Sequence, residues 1–190
     1  MKQRRIRTRT SLALLALGAS VAASLTLAGA AGATSLSGVT TAGDTPAAAA
    51  CANAVMSTLP TTSWSGTLGC WTDGTGAEPL GYSYLTATAI GTGTINFRWR
   101  FRTIDTIPFD WLDIRLDGSC VPPTTLVGGI CKYNPNPVLF SLFDSGWRTA
   151  SIPVTTGGAH SFFIGVRQDA FGDEASVDFT GMRGNLQLKP

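Results

Sequence analysis

Two short runs concentrate the side chains able to bind or react. In Trp111-Leu112-Asp113-Ile114-Arg115 an indole, a carboxylate and a guanidinium recur at every second residue, and Arg98, Arg100 and Arg102 do the same in Thr94–Arg102. Strand side chains alternate in direction, so each set shares one face. Sugars are held by aromatic planes against their apolar ring faces and by Asp, Asn and Arg against their hydroxyls. Trp111, Asp113, Arg115 and Arg100 therefore read as a glycan-binding set, with Tyr82, Tyr84 and Trp147 as further planes. If the two runs form a hairpin, Arg100 stands opposite Asp113 in a charge ladder. If successive strands cross between sheets, no ladder forms. The competing reading is an ordinary solvated outer face with a few cross-strand ion pairs.

Catalytic equipment is sparse. Asp110/Asp113 and Asp113/Asp117 could reach the carboxylate separations of a glycosidase, as could any strand carrying two acids. His160 is the sole histidine, and no G-x-S-x-G elbow occurs to make a serine its partner. A non-catalytic chain is expected, with glycoside hydrolysis third in order. Calcium needs six to eight oxygen ligands. Asp173, Glu174 and Asp178, with carbonyls near Gly172 and Asp73, are the candidates for a structural calcium that would staple the termini; the alternative is solvated turn acids.

The N-terminus reads as an export signal. Lys2, Arg4, Arg5, Arg7 and Arg9 precede an apolar run from Ser11 to Leu27, and small residues allow cleavage between Ala30 and Ala33. The run is short for a membrane span, so no membrane attachment is expected after cleavage. The twin Arg4-Arg5 lacks the usual apolar follow-up, which favours the general secretory route, and Leu27-Ala28-Gly29-Ala30 lacks a lipidated cysteine. Five of the 14 basic residues lie in this leader, leaving nine against 12 acidic ones, and no basic run survives to track phosphates. Nucleic-acid binding is thereby excluded. Four cysteines in an oxidising compartment read as two disulfides. The local pairings Cys51–Cys70 and Cys120–Cys131 are preferred among three connectivities. With no C-x-x-C and one histidine, zinc fits poorly.

These side chains need a scaffold, and its period is two. Residues 1–33 form the signal peptide and 34–50, rich in Ala, Thr, Ser and Gly without an aromatic, read as a flexible linker. Residues 51–190 carry all five Trp, three Tyr and nine Phe and suffice for one domain. Apolar residues take the odd positions from Ile95 to Phe101 and the even ones from Leu112 to Leu116. Tyr82–Ala89, Val138–Phe143, Trp147–Val154, His160–Gln168 and Ala175–Leu188 are further β-rich runs. Asp117-Gly118, Asp144-Ser145-Gly146, Thr156-Gly157-Gly158 and Phe171-Gly172-Asp173 separate them as turns. The expected fold is all-β, an antiparallel sandwich with two disulfides. The loop from Cys120 to Cys131, with Val121-Pro122-Pro123 and the following Tyr133-Asn134-Pro135-Asn136-Pro137, reads equally as a pre-organised contact surface or a stable connection.

The order of these elements carries a resemblance. It runs from the aromatic strand Ile95–Phe101 through Thr103-Ile104-Asp105 and Phe109–Leu116. Ser145-Gly146-Trp147-Arg148-Thr149, Gly158–Phe162 and Gly172–Asp178 complete it. Over Trp64–Leu188 the chain resembles secreted bacterial jelly-roll modules similar to carbohydrate-binding and galactose-binding-like domains. The resemblance implies a jelly roll and a glycan or cell-envelope polymer as ligand. It also implies a terminal acidic residue in a structural calcium site, matched here by Asp178, although Phe179-Thr180-Gly181-Met182 departs from the usual continuation. The expected function is a secreted, non-catalytic binding module; the alternative is an extracellular protein-interaction or structural domain.

Overall fold

The computed structural model describes residues 35–58, 61–71, 81–169 and 175–185. The expected export signal lies outside them. The first described segment overturns the expected linker: Ser35–Gly43 is strand β1 and Pro46–Ala50 is helix α1. An edge strand needs little apolar surface of its own, because backbone hydrogen bonds and a few inward side chains hold it. Leu36 and Val39 supply that contact with the core, and β1 pairs with strand β4 (Gly81–Ile90) from Ser35↔Ile90 to Gly43↔Ser83. Thr45 caps α1 by accepting from Ala48 N at 3.1 Å, Pro46 stands in its first turn, and Ala48 is buried.

The remaining strands are β2 (Ala52–Ser57), β3 (Ser63–Leu68), β5 (Gly93–Thr103), β6 (Trp111–Leu116), β7 (Ser119–Cys120), β8 (Thr125–Val127), β9 (Ile130–Lys132), β10 (Phe143–Asp144), β11 (Arg148–Val154), β12 (Ala159–Gln168) and β13 (Ala175–Gly184). They form two layered antiparallel sheets and a small ribbon. One sheet has the order β1-β4-β12-β6-β7; the other has β10-β5-β13-β3-β2, with β11 also on β5; β8 and β9 make the ribbon. The long strands alternate between the sheets along the chain: β3, β5, β11 and β13 in one, β4, β6 and β12 in the other. The all-β antiparallel sandwich stands as expected.

Alternation decides what lies between the layers. Ile95, Phe97, Trp99 and Phe101 of β5 point inward and are buried, as are Leu112 and Ile114 of β6, Leu85, Ala87 and Ala89 of β4, and Phe162, Ile164 and Val166 of β12. Phe97 meets Phe162 edge to face across the layers at 6.0 Å. Two tight hairpins use the residue pairs that such turns demand: Asp117-Gly118 (φ 50° and 75°) joins β6 to β7, and Gly128-Gly129 (φ 59° and 80°) joins β8 to β9.

Both local disulfides are present. Cys51–Cys70 ties the end of α1 to the chain after β3, and Cys120–Cys131 closes the base of the β8–β9 ribbon. They are the bonds that an oxidising compartment permits. Buried Gln168 reinforces the first, accepting from Cys70 N at 3.1 Å and donating to Cys70 O at 3.0 Å.

One expected strand is a loop. Val138–Leu142 leaves its apolar side chains Val138, Leu139, Phe140 and Leu142 exposed, and only Phe143 and Asp144 pair with β5. The preceding Pro135-Asn136-Pro137 explains it, since proline cannot donate to a ladder. Asn136 then caps the turn, accepting from Val138 N at 3.2 Å and donating to Ser141 O at 2.6 Å.

Candidate functional site

The same alternation that fills the core sends a second set of side chains outward from the β1-β4-β12-β6-β7 sheet. Tyr82 and Tyr84 of β4 lie beside Arg167 and Gly165 of β12, which lie in turn beside Trp111 and Asp113 of β6. Phe163 stands between Thr86 and Arg115. Five expected site residues, Tyr82, Tyr84, Trp111, Asp113 and Arg115, are therefore neighbours on one face. Arg100 is not among them. It lies on β5, in the opposite sheet, where Asp144 holds its guanidinium. Crossing of successive strands between layers removes the Arg100–Asp113 ladder.

Each member of the face has a different part. Asp113 is 0 % exposed, and both its oxygens are engaged by Arg115, Oδ1 by Nε at 2.8 Å and Oδ2 by Nη2. Burial pushes its carboxyl upward and the Arg115 guanidinium offsets part of that rise. Trp111 is 6 % exposed, because the Lys132 ammonium sits 4.0 Å from its ring centroid. It offers no free plane. Its indole N–H donates to Tyr82 Oη at 2.9 Å, and the two rings meet edge to face at 5.9 Å. Burial, with the Asp113 charge behind it, raises the Tyr82 phenol to about 12, so it remains a neutral hydroxyl. Tyr84 and Phe163 stack at 5.5 Å with planes 26° apart, and the Arg115 guanidinium lies 5.4 Å from the Phe163 centroid.

Two hollows adjoin over this face. One, of about 310 Å³, is lined by Asp44, Tyr82, Tyr84, Arg115, Ile130 and Phe163. The other, of about 380 Å³, runs on past Arg115 and Phe163 to Thr86, Thr88, Gly118 and Ser161. Asp44, from the turn between β1 and α1, is held by Tyr82 N, which donates to Oδ1 at 2.6 Å. Ile130 comes from the disulfide-closed ribbon. The β1–α1 turn and the ribbon, far apart in sequence, thus supply rims to a floor of aromatic rings.

Sequence reasoning missed Phe163, Gly165, Arg167, Lys132, Ile130 and Asp44. A signal existed for the first three, which share the outward parity of β12, but the apolar Phe162-Phe163-Ile164 run hides it. Nothing local marks Asp44, which falls within the supposed linker.

Elsewhere the expected residues serve the fold. Asp178 accepts from Thr67 Oγ1 at 2.8 Å and from Arg102 Nη2 at 3.1 Å, an ion pair between neighbouring strands. Asp73, Asp173 and Glu174 lie outside the described residues. Among the described residues no cluster of three or more His, Cys, Asp or Glu is placed to hold a metal ion. Arg98 stacks on Trp147 at 5.4 Å, which engages that ring. No protein-family model matches the chain, and no curated protein matches it significantly.

Proposed function

We propose that the chain is a secreted, non-catalytic binding module of jelly-roll type, taking a glycan or cell-envelope polysaccharide across the outer face of the β1-β4-β12-β6-β7 sheet. The observation that carries this reading is the pair of adjoining hollows sharing Arg115 and Phe163. Together they offer an elongated surface with aromatic rings for sugar ring faces and fixed polar groups for hydroxyls, the two chemistries that a sugar requires. Full engagement of Asp113 by Arg115 favours binding over a reacting carboxylate pair. The export signal and two disulfides support action outside the cell.

Polysaccharide pull-down and glycan-array measurements test it. Tyr84→Ala removes the half-exposed ring that lies over Phe163, and is expected to weaken capture at least about tenfold without altering the far-UV spectrum. Unchanged capture by this variant would remove the site from consideration.

A second reading rests on its own observation. Phe140 is 75 % exposed and has Val138, Leu139 and Leu142 beside it, also exposed. Contiguous apolar surface of this kind marks interaction sites, which keeps a protein-interaction domain as the alternative. A variant with Phe140→Ser and Leu142→Ser that still captures polysaccharide while losing a protein partner would favour it.

A further inference from the structure

We propose that the sugar chain recognised on this face is acidic, a polysaccharide carrying uronic-acid-type carboxylates, with Arg115 as the carboxylate anchor. The proposal rests on the glycan-binding reading above and narrows its ligand class.

The argument starts from how Arg115 is held. Asp113, wholly buried beneath it, takes the edge formed by Nε and Nη2. A guanidinium has five N–H groups in a planar fork, so one engaged edge leaves Nη1 and the outer Nη2 hydrogen pointing away. Among the described residues nothing accepts from Nη1. That free edge stands where the two hollows meet, since Arg115 lines both. A planar carboxylate matches such an edge with two parallel hydrogen bonds, and the buried Asp113 fixes the fork beforehand, which limits the ordering cost of binding.

Two neighbouring cations have no carboxylate partner among the described residues. Arg167 lies about equally between two rings, 6.0 Å from the Tyr82 centroid and 5.9 Å from that of Trp111. Its Nη1 is buried without a hydrogen-bond partner, and no carboxylate among the described residues pairs with it. Lys132, over Trp111, has no carboxylate partner there either. On the opposite sheet Arg100 is matched by Asp144 and Arg102 by Asp178, while Arg98 rests on Trp147 and Arg148 and Arg183 donate to neutral oxygens. Arg167, Lys132 and the free edge of Arg115 lie close to the stacked Tyr84 and Phe163 rings of the same site. Rings select a sugar and free cations select its charge. A simple inorganic anion would use the cations and leave the rings without a role.

Calorimetry or affinity electrophoresis of the intact, disulfide-bonded protein separates the possibilities. Five probes are compared: polygalacturonate, a polyglucuronate, the carboxyl-reduced form of each, and poly(glycerol phosphate). Both uronates, or one of them, are expected to bind at least about tenfold more tightly than the reduced form, an advantage that shrinks with added salt. Arg115→Lys keeps a cation beside Asp113 but removes the free edge. It is expected to lose that advantage, so that uronate and reduced polymer bind alike, and Arg167→Gln to lose part of it, both with wild-type circular dichroism. Equal binding of uronate and reduced polymer overturns the acidic assignment and leaves the glycan reading standing. Preference for poly(glycerol phosphate), or wild-type uronate binding by Arg115→Lys, also overturns it. Failure of all the probes together with a blank glycan array overturns both.

Discussion

Asp110 is the side chain whose chemistry the fold alters most. Fully buried at the head of β6, it accepts from Thr103 Oγ1 at 3.0 Å and from Asp169 N at 3.3 Å. Burial outweighs those hydrogen bonds and raises its carboxyl to about 7. The folded state therefore holds this proton more firmly than the unfolded one. Its contribution to stability is complete below the ordinary carboxylate range and is lost as pH rises through about 7, by roughly 2–4 kcal/mol. The urea midpoint should fall between about pH 4 and pH 8 in the wild type and lose most of that slope in Asp110→Asn, whose amide oxygen can still accept one of the two hydrogen bonds. An identical slope in both proteins would clear Asp110 of the effect. His160 works in the same sense, at the Asp117-Gly118 turn. Its Nδ1 lies 2.7 Å from Asp117 Oδ2, and the Asp117 hydrogen bond raises the imidazole above its usual value while the same bond lowers Asp117. This lock is complete below the ordinary histidine value of 6.5 and is lost as pH rises through the raised one. At the acid end it is lost as Asp117 takes up its proton. A proton NMR titration should place the His160 midpoint above 6.5, and Asp117→Asn should bring it back down.

Strand β12 forms the floor of the site because it runs through the middle of its sheet and carries a glycine where the rings must close over the backbone. A Cβ on Gly165 would stand 2.9 Å from Phe163 Cζ and 3.1 Å from Tyr84 Cβ. The nearer atom is the far end of a side chain that can swing away. Gly165→Ala is therefore expected to open the Tyr84–Phe163 stack, weakening glycan capture severalfold while moving the melting temperature little; a large fall in melting temperature with capture intact would contradict that ordering. Gly43, at the end of β1, has no such escape, since a Cβ there would lie 2.1 Å from Ala49 N, a backbone atom of α1. Gly43→Ala should lower the melting temperature by roughly 4–12 °C, as overpacking against backbone does. That cost would show β1 and α1 to be part of the folded unit. Their absence from the sequence reading has a physical reason: β1 is held mainly through its backbone, which no side-chain pattern records. Strands β5 and β6 were legible because each has one apolar face and one polar face. Residues 138–142 misled because their composition suits a strand, while Asn136 holds Val138 N and Ser141 O in a turn that carries Phe140 at φ 57°. The site was legible as far as β4 and β6, where aromatic and charged residues alternate with apolar ones. Its β12 half was not, since Phe163 is as apolar as the core residues on either side of it.

Alternation of long strands between two sheets means that much of the packing joins residues far apart in sequence. In such a fold chain entropy is the main opponent, and covalent closure of loops acts directly against it. The two disulfides close loops with separations of 19 and 11 residues, and each contributes about 3 kcal/mol in the chain-entropy account. Their combined effect of about 6 kcal/mol compares with a typical domain stability of about 5–15 kcal/mol. Reduction should therefore lower the melting temperature by roughly 12–24 °C, and the two bonds should contribute comparably when removed singly as Cys51→Ser/Cys70→Ser and Cys120→Ser/Cys131→Ser. The second pair carries an additional consequence, because Cys131 adjoins both Ile130, which rims one hollow, and Lys132, which covers Trp111. Losing Cys120–Cys131 should weaken glycan capture at a temperature where the domain is still folded, whereas losing Cys51–Cys70 should act on capture only through stability. Equal loss of capture from both variants, measured well below their melting temperatures, would show that the ribbon has no separate part in the site.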